Sequence, residues 1–169
     1  ALLLLTLAFP LYKSFEHKLQ FYKKLKYILP AMILTAIPFL IWDIIFESRN
    51  IWWFSSQHTL GWRILGLPLE EWLFFLIIPY ACFFIYEIIK LFTRSTKGRY
   101  TKIVSWSVAV ILLSVSLFSI HLTYTFVSFL LASGILSIIA WNKQIAPHLF
   151  NFFRGYLVSL IPFFIVNGV

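Results

Sequence analysis

The sequence predicts an all-α, polytopic bundle of membrane helices, and three observations carry that prediction. Of 169 residues, 61% are hydrophobic and 12% charged, against roughly 25% charged in an ordinary soluble domain. The mean hydropathy is +0.89. The apolar residues fall in continuous blocks close to the ~20 residues that cross ~30 Å of hydrocarbon. These blocks lack the alternation of barrel strands, and lipid offers no hydrogen bonds to open backbone, so helices remain.

The first block, Ala1 to Tyr12, is too short to span and is expected to be the surviving end of a longer helix. Its basic residues follow the apolar run, whereas a signal peptide has them in front. Further spans are expected from about Tyr27 to Phe46, Trp72 to Phe92, Ile103 to Leu122, Tyr124 to Ala140 and Leu149 to Val166. Loop charges orient them. Lys13, Lys18, Lys23, Lys24 and Lys26 fill the first loop and Lys90, Arg94, Lys97, Arg99 and Lys102 the third, while the second holds Arg49 and Arg63 offset by Glu47. The positive-inside rule makes the first and third loops cytoplasmic and sets Asp43, Glu47, Glu70 and Glu71 near the opposite face.

An internal repeat is visible at an offset of 124 residues, where Ile37-Pro38-Phe39-Leu40-Ile41-Trp42-Asp43 aligns with Ile161-Pro162-Phe163-Phe164-Ile165-Val166-Asn167, and Leu25 with Leu149. Two three-helix units of like orientation need one extra crossing between them. The expected plan is therefore 3+1+3 helices: a first repeat over 1–92, a linker helix over 103–122, and the start of a second repeat over 124–169, with the last helix missing from this chain.

The net charge of +8 lies between apolar blocks, not along a soluble face. It reads as topology signal and headgroup contact, and nucleic acid is not an expected partner. A single cysteine, Cys82, excludes a disulfide framework, and His17, His58, His121 and His148 show no metal-ligand spacing. No metal is expected. No G-x-G-x-x-G fingerprint exists for a Rossmann-bound flavin, and no cofactor is expected.

All six acids lie in the first 87 residues. Glu16 sits among lysines, and Glu87, three residues before Lys90, has the spacing of a helix-surface ion pair. Gly66-Leu67-Pro68-Leu69-Glu70-Glu71-Trp72-Leu73-Phe74-Phe75 differs, because it plants two carboxylates at the start of a strongly apolar helix. Part of this is explained by Pro68 in the first helical turn and an acid beside free N–H groups. Two adjacent carboxylates shielded from water also favour a state in which one carries a proton, and a membrane-embedded carboxylic acid is a Brønsted acid. Asp43 and Glu47 share a helix face near the same depth, and either could accept a proton. Trp42, Trp52, Trp53, Phe54, Trp62, Trp72, Phe74 and Phe75 crowd that depth. They are either the interfacial belt of any membrane protein or a lining whose ring faces stabilise a carbocation.

At these residues the sequence resembles the FAD-independent, membrane-embedded lycopene cyclase family, which includes paired bacterial carotenoid cyclase subunits and the cyclase half of fungal bifunctional proteins. The resemblance rests on Trp42-Asp43, on Trp52-Trp53-Phe54, on Thr59 with Gly61, and on Pro68-Leu69-Glu70-Glu71 followed by Phe74-Phe75 and Pro79. From about residue 103 onward it rests on hydropathy and the helix with Pro162, and the family's second acidic motif would follow Val169. The resemblance implies lycopene β-cyclase activity, an intramolecular lyase or isomerase of carotenoid biosynthesis without net redox change. The ψ-end groups of lycopene or another acyclic carotenoid would become β-ionone rings, giving β-carotene or γ-carotene. Glu70 or Glu71 would donate the proton, with Asp43 also catalytic. Trp42, Trp52, Phe54, Trp72, Phe74 and Phe75 would bind substrate, while Pro68, Thr59 and Gly61 shape the motif. It also implies a multi-pass protein of the bacterial cytoplasmic membrane, in contact with other carotenoid enzymes.

Other membrane families fit less well. A CAAX-type protease would want Arg where Phe75 stands, and a prenyltransferase would want Asp-rich motifs. The non-enzymatic alternative is a proton-coupled transporter or a carotenoid-binding membrane protein.

Overall fold

The computed structural model describes residues 2–54, 59–93 and 98–167, and the side chains of all of these but 98, 99 and 165–167. His58, Arg94 and Lys97 lie outside the described residues. The chain forms two compact units, 1–88 and 89–169. Helix dominates both. Four described helices are long and apolar enough to cross a membrane: Phe21–Ser48, Leu69–Phe92, Tyr100–Phe118 and Thr123–Trp141.

The first unit holds helix α1 (Leu2–Lys13), a 3-10 turn (Phe21–Lys24), helix α2 (Leu25–Ser48), and a minimal hairpin of β1 (Arg63–Ile64) and β2 (Leu67–Pro68). Helix α3 (Leu69–Phe92) starts in it. Phe21 is fully buried and seats its ring edge-on against Tyr80 and Phe84, at 5.4 and 5.8 Å. Leu19 and Met32 complete this core, and Phe9 brings α1 onto it through Phe84 at 6.2 Å. Polar groups among these apolar side chains must find partners in the protein. The buried Ser14 hydroxyl does so, bonding the Pro10 carbonyl and the Tyr80 hydroxyl, each at 2.6 Å.

The second unit holds α4 (Gly98–Phe118), α5 (Thr123–Trp141), a 3-10 turn (Ala146–His148) and α6 (Leu149–Asn167). Small residues let α4 and α5 approach closely. The Ser133 hydroxyl donates to the Ala109 carbonyl at 2.8 Å, and Ser116 to the Phe126 carbonyl at 2.8 Å. Ala109, Leu136, Ala140 and Leu149 form the core. Each expected span falls on a helix, four of them among the membrane-crossing helices above, but α4 stops at Phe118, earlier than the hydropathy suggests, because the Leu122 N–H turns back to the Ser119 carbonyl and α5 begins at Thr123.

Two local expectations are corrected. Glu87 does not pair with Lys90 along its own helix: it faces inward, nearly buried, and forms its ion pair with Lys24. Pro68 is not in the first helical turn but ends β2, opposite Arg63. The strand takes it because the next N–H, that of Leu69, is held by the Trp62 carbonyl at 2.9 Å and prolongs the hairpin ladder. Proline, with no N–H to leave unpaired, suits this edge.

Candidate functional site

The site begins where α2 stops. Asn50 adopts a left-handed conformation at φ +53°, the Ile51 N–H bonds the Phe46 carbonyl, and the Asn50 N–H bonds the Glu47 carbonyl, each at 3.0 Å. This pair of bonds is a Schellman cap, which satisfies the last carbonyls of the helix from within the chain. It folds Trp52 back onto Phe46 at 4.9 Å, and Phe46 in turn lies 5.1 Å from Trp42. A short aromatic stack therefore lines the end of α2.

The hairpin then reverses the chain through Leu65 and Gly66, at φ +52° and +90°. Left-handed conformations at both central residues match a type I′ turn, whose twist suits a two-residue hairpin. At Gly66 a side chain is crowded as well as strained, since a Cβ there would stand 3.1 Å from Glu47 Oε2. Arg63 Nη1 donates to Glu47 Oε1 and to the Gly66 carbonyl, both at 2.9 Å. Its Nη2 reaches the Phe54 carbonyl at 3.4 Å. The indole N–H of Trp72 bonds the Ile64 carbonyl at 3.2 Å, tying the first turn of α3 back to β1.

The hairpin delivers the acid pair. Glu70 Oε1 accepts the Leu60 backbone N–H at 2.5 Å. Its other oxygen, Oε2, is buried and has no hydrogen-bond partner among the described residues. Glu71 is half-buried and within electrostatic reach of Asp43, which is buried on α2. One turn deeper, Phe39 stacks on Phe75 at 6.1 Å. Asp43 follows Phe39 by one helical turn and Glu71 precedes Phe75 by one, so α2 and α3 face each other with an acidic rung above an aromatic rung. Phe74 sets its ring edge against Phe75 at 5.7 Å and remains partly exposed. The described ion pairs leave Asp43, Glu70 and Glu71 without a basic partner, because Arg63 is committed to Glu47.

The structure thus gathers Asp43, Glu70, Glu71, Trp42, Trp72 and Phe75 from the residues singled out in the sequence. Trp52 joins them through Phe46. Phe54 contributes its carbonyl to Arg63. Thr59 and Gly61 lie beside Leu60, with Gly61 at φ +82° and open space around its Cα. Pro68 is buried at the end of β2. Glu47 lies on the Asp43 helix but is drawn off into the Arg63 pair.

Sequence reasoning missed the roles of Arg63, Phe39, Phe46 and the Leu60 amide. Only Arg63 had left a signal, as a loop charge balanced by Glu47. Among the described residues no group of three or more His, Cys, Asp or Glu side chains is placed to hold a metal ion.

Neither a curated protein nor a solved structure matches this sequence. A protein-family model described as lycopene cyclase matches residues 1–89 and 121–169.

Proposed function

This chain belongs to the lycopene cyclase family, and from that premise we propose that it closes β-ionone rings at the ψ-end groups of lycopene by acid-initiated isomerisation. The observation that carries the reading is the Glu70 carboxyl, with one oxygen holding a backbone N–H and the other buried and unpartnered among the described residues. The Leu60 N–H occupies Oε1, so in the acid form the proton resides on Oε2. An O–H that makes no hydrogen bond among the described residues is left to meet a π-bond of the substrate as its acceptor.

Protonation of the terminal double bond leaves a tertiary cation, which the neighbouring double bond attacks to close the ring. Loss of one ring proton then restores a double bond. One proton enters and one leaves, so composition and oxidation state are unchanged. The Leu60 N–H stabilises the carboxylate that Glu70 becomes. Asp43 and Glu71, facing each other across α2 and α3, receive the departing proton, and the adjacency of Glu71 to Glu70 offers a route for its return. Ring faces of Trp42, Trp52, Trp72 and Phe75, with Phe54 and Phe74 at the margin, shield the cation from water and stabilise it by about 0.5–1 kcal/mol each, rising to about 2 where desolvated.

The reading includes a multi-pass location in the bacterial cytoplasmic membrane; its membrane part is supported by the long apolar helices. It also includes two repeats about a linker helix. In support, α2 and α6 begin 124 residues apart at Leu25 and Leu149, each follows a 3-10 turn, and each carries a proline at the matching position, Pro38 and Pro162.

The test is conversion of lycopene in a lycopene-accumulating host at matched membrane expression. Glu70→Gln keeps an acceptor for the Leu60 N–H while removing the acid, and should lower cyclisation by about 10⁴-fold or more, the upper end for general acid catalysis. Glu71→Gln and Asp43→Asn should each fall by about 10² to 10³-fold. Near-normal ring formation by Glu70→Gln moves the donor role to another acid. Lycopene retained unchanged by the wild-type protein would replace catalysis with carotenoid binding.

A further inference from the structure

We propose that Arg63 is a positioning residue for this chemistry, a latch that sets the depth and angle at which Glu70 and Glu71 meet Asp43. This rests on the reading of Glu70 and Glu71 as the acid centre. The guanidinium joins three stretches of chain that are separate in sequence: the end of α2 through Glu47, the preceding loop through the Phe54 carbonyl, and the hairpin turn through the Gly66 carbonyl. An exposed ion pair alone contributes little. What sets this one apart is that the same planar fork also holds two backbone carbonyls, a spread of donors that a compact ammonium repeats only in part.

Its location gives the latch leverage. Glu47 lies one helical turn beyond Asp43 on α2, and Gly66 lies four residues before Glu70. One end of the contact is therefore rigidly joined to the buried acid of α2 and the other to the element that launches the acid pair. Gly66 completes the fit: with any side chain there, Cβ would press against the Glu47 carboxylate at 3.1 Å. The Leu69 N–H on the Trp62 carbonyl and the Trp72 indole on the Ile64 carbonyl make the hairpin and the first turn of α3 move together. A shift of the Arg63 contact is passed on to Glu70 and Glu71 with little loss. No atom of Arg63 need touch the polyene.

The experiment uses the full-length protein in native-like membranes with lycopene. Arg63→Gln should lower kcat by up to about 100-fold, the effect of an ångström of misplacement, while KM and lycopene retention stay near wild type. Arg63→Lys should fall between the two, and Glu47→Gln should resemble Arg63→Lys. A spectroscopic readout separates positioning from general damage. The carboxyl stretching bands of Glu70 and Glu71, assigned by infrared difference against the Glu→Gln variants, should shift in Arg63→Gln and return toward wild type in Arg63→Lys.

Unchanged kcat and unchanged bands in a folded Arg63→Gln protein overturn the latch. So does a rise in KM with kcat retained, which would make Arg63 a binding contact. If Arg63→Gln fails to fold, Glu47→Gln carries the same test, with a graded kcat loss and band shift expected and wild-type behaviour overturning the proposal. Full cyclisation by Glu70→Gln would instead sink the acid-centre reading, and the band shift in Arg63→Gln would then stand or fall separately.

Discussion

Glu87 on α3 closes its ion pair with Lys24 at the foot of α2, not with Lys90 one turn along its own helix. The carboxylate is almost wholly enclosed while the ammonium remains partly open. Losing one partner of a fully buried pair costs about 3–5 kcal/mol, and an exposed pair is worth under about 1. Glu87→Gln should fall between, destabilising the protein by about 1–2 kcal/mol, seen as a lower unfolding midpoint in detergent. Lys90→Gln should leave the midpoint unchanged. Equal effects of the two would return Glu87 to a helix-surface role.

Leu65 occupies a left-handed turn position at φ +52° with its side chain largely exposed. That conformation costs a residue with a Cβ roughly 1–2 kcal/mol, and Asn relieves part of it. Leu65→Asn should therefore raise stability by about 0.5–1 kcal/mol. Gly66→Ala should lower it, since the new Cβ meets Glu47. A drop in the denaturant midpoint for Leu65→Asn would show that the leucine contributes packing that outweighs its backbone cost.

The α4–α5 contact depends on close backbone approach at Ala109, almost wholly buried and bonded through its carbonyl to Ser133. Ala109→Leu should cost about 1–3 kcal/mol by overpacking. Ser133→Ala should cost only about 0.6, typical of interhelical hydrogen bonds in membranes. Titration with a denaturing detergent, followed by circular dichroism, measures both. The reverse ranking would make the hydrogen bond and not the close fit the dominant contact.

The charge asymmetry of the loops yields an orientation. With Cys82→Ser as background, a cysteine at Lys18 should react with a membrane-impermeant maleimide only from the cytoplasmic side, and one at Ile51 only from the other. Labelling of both from one side would contradict the assignment.

The spans were legible because burial in lipid is a bulk property, readable residue by residue without knowing what packs on what. The acid pair and its aromatic company were legible for a related reason: two carboxylates at the head of an apolar helix are costly wherever they end up. Contacts between distant segments were not. The spacing of Glu87 and Lys90 satisfies a helix-surface rule, yet Lys24, 63 residues away, takes the carboxylate because it brings charge to an enclosed site. Pro68 satisfied the rule for a helix start, but the hairpin ladder claimed it. Arg63 counted only as a charge offset by Glu47, and no periodicity states that one guanidinium also reaches the Phe54 and Gly66 carbonyls.

The rod from Phe21 to Ser48 runs 28 residues, but Lys23, Lys24 and Lys26 at one end and Glu47 at the other leave Tyr27 to Phe46 as its apolar stretch, about 30 Å at 1.5 Å per residue and so matched to ~30 Å of hydrocarbon. A bilayer thinner than that stretch is met by leaning. Helix α3 must lean with it, because Lys24 and Glu87 join the two near one end and Phe39 and Phe75 join them toward the other. A thinner bilayer therefore tips the pair as one body instead of sliding one helix past the other. Lipid chain length would alter the depth of Glu70 beneath the headgroups while leaving its distance from Asp43 alone.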